Sequence, residues 1–395
     1  MDFETLKAAE HEQLMQTYGR FDVALDHGQG CLLYDLEGNE YLDLTSGIGV
    51  NALGHNYKPL VEAISRQAAK MMQASNLFYT VPMVEAAGKL NALAGTKRVF
   101  FANSGAEANE GMIKTARKYS WDKYQDPKRL VILTLNNSFH GRTIATLEAT
   151  GQDHFHANFF PFTGGFDYTP ANDIEALKEK LESGRIAGLM MEMVQGESGV
   201  RPLDPEFVAQ AAKLCTENDV LLMIDEVQSG IGRTGKFFAY QNYGLNPDLV
   251  SCAKGLGGGV PIGAVLAGEK TADVLHAGDH GTTFGGNPLA ASAANVVLDT
   301  IGDGQFLETV AQNGQYFMDQ LKAIDSDRIK DVRGLGLMIG VEVGPEEIMD
   351  DLAELRKQGV LALKAGTGTI RLLPPLILDR EQIDQAAAAF KEVFA

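Results

Sequence analysis

Residues 220–230 read VLLMIDEVQSG. Five apolar side chains in unbroken succession suit a strand buried on both faces, and strands of that kind belong to sheets covered by helices. The run stops at a carboxylate, Asp225, at the strand end where an open α/β sheet presents its ligands. Working outward, the same form recurs in RVFFA (98–102), RLVILTL (129–135), AGLMMEMV (187–194), LVSCA (249–253) and IGAVLAG (262–268), with helical stretches between several of them. That alternation predicts an α/β fold, with a mostly parallel central sheet flanked by helices.

The flanks read differently. CLLYDLEGNEYLDLTSG (31–47) alternates apolar and polar residues on both sides of Glu37-Gly38-Asn39, the pattern of a hairpin. Beyond about residue 290, the long helix-compatible stretch NPLAASAANVVLDTI leads into strand-like VRGLGLMIGVEV, GVLALKA and TIRLLPPL, with amphipathic helices at 345–359 and 380–394. The expected division is a large domain over 51–291 and a smaller α+β domain made of 1–50 together with 292–395.

Composition narrows the function classes. A chain of 395 residues with 45% hydrophobic and 22% charged residues can build about two cored domains, and no apolar span is long enough to cross a bilayer. The N-terminal MDFETLKAAEHEQLMQTYGR has neither an apolar signal core nor the acid-poor character of a transit peptide, so a cytoplasmic location is expected. Three cysteines without CxxC spacing argue against a disulfide framework or structural zinc, and no metal motif is present. With 34 basic against 52 acidic residues the net charge of −18 repels nucleic acid, so an anionic substrate must be drawn by local cations.

The informative residues follow the apolar runs. After RVFFA, Ser104-Gly105-Ala106 opens a helix whose first N–H groups suit a phosphate, although Ser104 can equally be a plain helix cap. After RLVILTL come Phe139, His140 and Arg142, each of which taken singly can be core or surface. Glu192 and Glu197 flank the end of AGLMMEMV, where a structural ion pair is the plain alternative. Asp225 can hold a ring nitrogen protonated, and Lys254, with four glycines in the next five residues, can condense with an aldehyde. Thr282 and Thr283 add two hydroxyls between glycines. One ligand needs all of these together: pyridoxal 5′-phosphate, whose aldehyde, ring nitrogen, ring face and phosphate call for an amine, an anion, an aromatic or apolar platform and helix-end donors.

The segments SGIGVNALGH, FFANSGAEANE, SFHGRT, QGESGVRP, IDEVQSGIGRTG, AKGLGGGVPIGA, HGTTFGGNPLA and IRLLPPL stand in the order found in class III (subgroup II) aminotransferases, and the chain resembles that family over nearly its whole length. The resemblance implies a fold-type I pyridoxal-phosphate transferase. It implies that Lys254 bears the cofactor, that Asp225 pairs with the pyridine nitrogen, and that Gln228 bonds the 3′-oxygen. Ser104, Gly105 and Ala106 then form the phosphate loop, Phe139 and Val227 lie against the two ring faces, and His140 and Glu192 belong to the same pocket. It further implies a homodimer in which Thr283, with Thr282 beside it, reaches the neighbouring subunit's phosphate. Arg142 and Arg371 become the substrate-carboxylate arginines, and Glu197 the acid paired with the second.

Such an enzyme handles two unlike substrates at one site. Glutamate carries carboxylates beside and remote from its reacting carbon, whereas N2-acetylornithine, an intermediate of arginine biosynthesis, reacts far from its only one. Arg142 is therefore assigned to the remote carboxylate and Arg371 to the near one, with Glu197 neutralising Arg371 when no near carboxylate is bound. Related ornithine aminotransferases carry tyrosine where this chain has Gly47, so the absent side chain leaves room for an N-acyl group; a turn after the hairpin is the other use for that glycine. Aminotransferases acting on N-succinyl-diaminopimelate, ornithine or 4-aminobutyrate share the same cofactor residues. An aminomutase has less use for a Glu197 switch, and a noncatalytic phosphate-binding protein has none for a lysine, an acid and an aromatic together.

Overall fold

The six apolar runs all become strands of one seven-stranded sheet in the computed structural model, which describes residues 1–395. Numbered along the chain, the strands of this sheet are β1 (Arg98–Ala102), β2 (Val131–Leu135), β3 (Phe166–Thr169), β4 (Ile186–Met191), β5 (Leu221–Asp225), β6 (Leu249–Cys252) and β7 (Gly263–Ala267). Their spatial order is β1-β7-β6-β5-β4-β2-β3. Neighbours from β6 through β3 pair in parallel, and β7 alone runs against both of its neighbours. The strand without a sequence forecast is β3, FDYT, a short edge strand with only Thr169 buried.

Strand alternation sorts the sheet's two faces. Ile132, Leu221, Met223, Leu249 and Val265 point to one side, where they pack on Ala108, Met112, Ile113 and Ala116 of the helix Gly105–Tyr124. Leu133, Leu135, Leu222, Ile224, Val250, Cys252, Ala264 and Leu266 point to the other and join the larger core. Asp225 continues the parity of Leu221 and Met223, and Ser251 that of Leu249. Because β5 and β6 are registered with Asp225 opposite Ser251, both polar side chains face the helix Gly105–Tyr124.

The N-terminal hairpin pairs Leu32–Asp35 with Glu40–Asp43, and Glu40–Asp43 also pairs in parallel with Val360–Leu361 near the C-terminus. A second four-stranded sheet runs in the order Asp331–Leu335, Met338–Glu342, Thr369–Leu372 and Leu363–Ala365. Its strand Thr369–Leu372 carries Arg371 opposite Gly340. The helix Pro288–Ile301 packs on the helices Lys58–Lys70 and Val81–Ala94, beside the large sheet. No helix is long and apolar enough to cross a membrane.

Candidate active site

A cavity of about 580 Å³ opens at the carboxyl ends of β1, β2, β5 and β6. Ser104, Gly105, Ala106, Phe139, His140, Arg142, Glu192, Asp225, Val227, Gln228 and Lys254 all line it. Residues up to 150 positions apart converge there because parallel strands place all their carboxyl ends on one edge of the sheet.

At the cavity's helix-start wall, Ser104 caps the helix Gly105–Tyr124: its Oγ accepts from the Glu107 N–H at 3.2 Å. Glu107 accepts in return from the backbone N–H and side-chain amide of Asn103, at 2.6 and 2.8 Å. The first-turn N–H groups of Gly105 and Ala106 have no intrahelical carbonyl, so an anion is their natural partner. Glycine at 105 is required by packing, since a Cβ there would stand 2.5 Å from Val227 Cγ1. Cap and anion cradle are thus one structure.

Asp225, 3% exposed, has no arginine or lysine partner. Its Oδ1 accepts from the Val227 N–H at 2.9 Å, and its Oδ2 accepts from Asn109 Nδ2 at 2.8 Å and faces His140 Nδ1 at 2.8 Å. A carboxylate can only accept, so Nδ1 carries the imidazole hydrogen. Ser251 Oγ donates to Asn109 Oδ1 at 2.6 Å and so fixes which way that amide points. A backbone N–H, an amide and an imidazole thus hold the carboxylate in place, with no lysine or arginine among them. His140 Nε2 is buried without a partner.

Glu192 makes no ion pair with a lysine or arginine. Its carboxylate accepts from the backbone N–H groups of Phe139 at 2.9 Å and Gly196 at 3.4 Å, and so anchors the segment that carries the Phe139 ring. Burial pushes it up to about 7, with Asp225's charge acting in the same direction and His140 against it.

Lys254 lies half-buried on the cavity wall. Burial pulls it down to about 8, against the opposing pull of the Glu197 carboxylate. Its backbone has φ of +44°, an uncommon conformation for a residue with a side chain, and it opens a single 3-10 turn, Lys254–Gly257. The glycines that follow do not all border the ligand space. A Cβ at Gly257 would meet Ile262 at 3.0 Å, and one at Gly258, whose φ is +57°, would meet Leu60 at 2.8 Å. Only Gly259 lines the cavity. The glycine run chiefly lets the turn pack against the protein behind it.

Arg371 and Glu197 lie behind the wall and join it through Gln228. Arg371 Nη1 donates to Glu197 Oε1 at 2.6 Å and to Gln228 Oε1 at 3.1 Å, while Gln228 Nε2 donates to the same Glu197 oxygen at 3.2 Å. Burial works to raise Glu197, but the charge and hydrogen bond of Arg371 hold it below the ordinary carboxylate range. Arg142 is exposed and has no carboxylate partner; its guanidinium lies over the Phe155 ring.

Besides Arg371 and Glu197, three more expected positions fall outside the cavity lining of a single chain. Thr282 Oγ1 accepts from Asn103 Nδ2 at 2.9 Å, at the edge of the cradle. Thr283 is exposed, its carbonyl accepting from Gln73 Nε2. Gly47 has φ of +65° within a left-handed turn in which Ser46, Ile48 and Gly49 also have positive φ, a conformation that glycine adopts without strain.

Asn109, Ser251, Tyr18 and Phe155 escaped the sequence reading. Asn109 left one trace, a polar residue on the apolar face formed by Ala108, Met112, Ile113 and Ala116. Tyr18 lines the cavity from the N-terminal segment, where no periodicity marks it. The cavity therefore offers an amine of lowered pKa, an anion without a counterion, a flat aromatic wall and free helix-start donors, the complement of pyridoxal 5′-phosphate.

Comparison with known proteins agrees. The profile described as Aminotransferase class-III matches residues 14–394. The chain is 50% identical over 396 aligned residues to the acetylornithine aminotransferase of Haemophilus ducreyi, with all of both chains covered. Its fold is similar to the crystal structure of acetylornithine aminotransferase from Elizabethkingia anophelis, with a TM-score of 0.90, 33% identity and coverage of 100% and 99% of the two chains. It is also similar to the ornithine aminotransferase of Toxoplasma gondii, with a TM-score of 0.95, 32% identity and coverage of 99% and 94%; that structure is described with partial occupancy of pyridoxal phosphate at its active site.

Proposed function

The chain is a class-III aminotransferase, dependent on pyridoxal 5′-phosphate, and from that premise we propose that it moves the terminal amine of N2-acetylornithine to 2-oxoglutarate, giving N-acetylglutamate 5-semialdehyde and glutamate. The observation that carries this reading is that Arg371 is paired with Glu197 while Arg142 has no carboxylate partner, one cation masked and one open. A donor with only a remote carboxylate needs the open cation and must not meet the masked one bare. Glutamate, with two carboxylates, can use both.

When bound, the cofactor supplies an aldehyde that exchanges amines and a ring that draws electrons from the carbon losing its proton. Asp225, held in place by Asn109, His140 and the Val227 N–H, would keep a proton on the pyridine nitrogen. Lys254, lowered to about 8, would give up its proton only slightly above neutral pH, and as the free amine it could move a proton between substrate and cofactor. Gln228 would serve the ring's 3′-oxygen, and Gly105 and Ala106 would hold the phosphate with their N–H groups. Phe139 and Val227 keep water from the ring faces. Arg142 binds the remote carboxylate, and Arg371 leaves Glu197 when a near carboxylate arrives.

In this reading residues 51–291 form the cofactor-binding domain, 1–50 with 292–395 form the smaller one, and the enzyme works in the cytoplasm as a homodimer. Support for the dimer comes from exposed apolar residues on one segment, Met72, Leu77, Phe78, Tyr79, Val81 and Val84, together with Phe284. Asn76 ties that segment to the loop of Thr282 and Thr283 by donating to the Thr282 carbonyl at 3.2 Å and the Gly285 carbonyl at 2.9 Å. Co-expressed Lys254→Ala and Thr283→Ala chains should regain cofactor retention that each lacks alone. Recovery would be absent if Thr283 served its own chain.

Steady-state rates of the purified enzyme with acetylornithine, ornithine, N-succinyl-diaminopimelate and 4-aminobutyrate test the substrate. Acetylornithine should give the highest kcat/KM. A preference for free ornithine or 4-aminobutyrate would overturn the assignment.

A further inference from the structure

Arg142 is a long, exposed side chain, and its position depends on two aromatic rings. Its guanidinium carbon lies 4.2 Å from the ring centre of Phe155 and 5.6 Å from that of Phe139. The two rings meet edge to face, 5.8 Å apart with planes at 70°, so together they form a corner. Arginines elsewhere in the chain, such as Arg328, Arg333 and Arg371, are held by carboxylates, which occupy their donor edges. An aromatic face attracts the cation without taking any of its in-plane N–H groups. The donor fork of Arg142 thus stays open for bidentate pairing with a ligand carboxylate.

Phe155 is itself fixed. It belongs to the short helix Asp153–His156, where its N–H donates to the Gln152 carbonyl at 3.0 Å, and Gln152 Nε2 donates to the Ser138 carbonyl at 2.9 Å. His156 Nε2 lies 2.9 Å from the Leu147 carbonyl and 2.7 Å from that of Thr150. Ser138 directly precedes Phe139 and His140, so Phe155 is fastened to the same segment that builds the cavity wall.

We infer that Phe155 is a positioning residue that sets the enzyme's selectivity for substrates with a remote carboxylate, by holding the guanidinium of Arg142 on its face. This rests on the assignment of Arg142 to that carboxylate. Phe139 cannot do the work alone, because its centre is the farther one and its ring also serves the cavity.

Single-turnover half-reactions of the holoenzyme with L-glutamate and L-alanine test the inference, since alanine shares the reacting carbon and near carboxylate but lacks the remote one. Phe155→Leu should raise the apparent dissociation constant for glutamate about 3-fold to 10-fold, leaving its limiting rate and the alanine reaction unchanged. Phe155→Tyr, which keeps the ring, should restore the discrimination. Arg142→Gln should abolish it. If Arg142→Gln abolishes it but Phe155→Leu does not, the role of Phe155 is refuted while that of Arg142 stands. If neither variant changes it, the Arg142 assignment itself fails. Equal losses with both amino acids in Phe155→Leu, with a lowered melting temperature, would mark Phe155 as packing only and overturn the inference.

Discussion

Arg371 Nη1 lies 2.6 Å from Glu197 Oε1 while the Arg371 side chain is 3% exposed, so the buried cation is neutralised before any substrate arrives. Gln228 bonds both partners, and a carboxylate that replaced Glu197 would inherit a donor set already in place. On the proposed assignment the pair acts as an exchangeable contact rather than a fixed strut.

Glu197→Gln keeps the shape and removes the charge. Half-reactions measured separately should show acetylornithine slowed by roughly tenfold or more, because its terminal amine would meet an uncompensated guanidinium, with glutamate unchanged or bound more tightly. Equal losses for both donors would end the exchange idea.

Lys254 has a folded pKa of about 8 against the ordinary 10.5. Its amine becomes nucleophilic as the proton leaves, so uptake of pyridoxal 5′-phosphate by cofactor-free enzyme should rise with pH and level off above about 8. The same group sets a stability trend. Between about pH 8 and 10.5 the unfolded chain holds a proton that the folded one has lost, so this residue's contribution to stability improves as pH rises through that window. Stopped-flow absorbance, compared with the reaction of a free lysine analogue, checks the first. A rate that climbs in step with the analogue up to pH 10 would count against the lowered pKa.

Asn109 donates to Asp225 and to the His140 carbonyl, and its own carbonyl accepts from Ser251. Asn109→Leu should leave three buried polar groups short of partners, at a cost of about 1–3 kcal/mol for each not rescued by water. The expected result is a lower melting temperature and a cofactor dissociation constant raised about tenfold. An unchanged cofactor affinity would show that Asp225 is adequately held by His140 and Val227.

Gly258→Val combines a φ of +57° with a Cβ that would stand 2.8 Å from Leu60 Cδ2 and 3.2 Å from Val297. Thermal unfolding should report a loss of about 1–3 kcal/mol, with cofactor occupancy at saturation preserved. Gly259→Ala should lower cofactor occupancy as well as stability, since that residue borders the cavity and has φ of +121°. A Gly258 variant that loses cofactor without losing stability would reverse the division of labour drawn between the two glycines.

Much of this molecule was legible in its sequence, for a physical reason. Strands buried on both faces must be apolar throughout, so β1, β2, β4, β5, β6 and β7 announce themselves as unbroken runs. The residues just past the runs that point the same way have to lie at one edge of the sheet, which is why Lys254, Asp225, Phe139 and Ser104 could be gathered into one site from their order; β7, which runs the other way, contributes none. The edge strand β3, buried at only one residue, carries no such signal. Tertiary structure alone decided what depends on faces meeting across long stretches of chain. Asn109 reaches Asp225 because strand parity and register turn both toward the same helix. Phe155 meets Arg142 because a four-residue helix folds back onto the segment of Ser138. Gly258 looks away from the site because its turn has Leu60 and Val297 behind it, while Gly259 borders the cavity. Composition and spacing report which groups are present at the sheet's edge; which of them touch is set by the packing of surfaces that lie far apart in sequence.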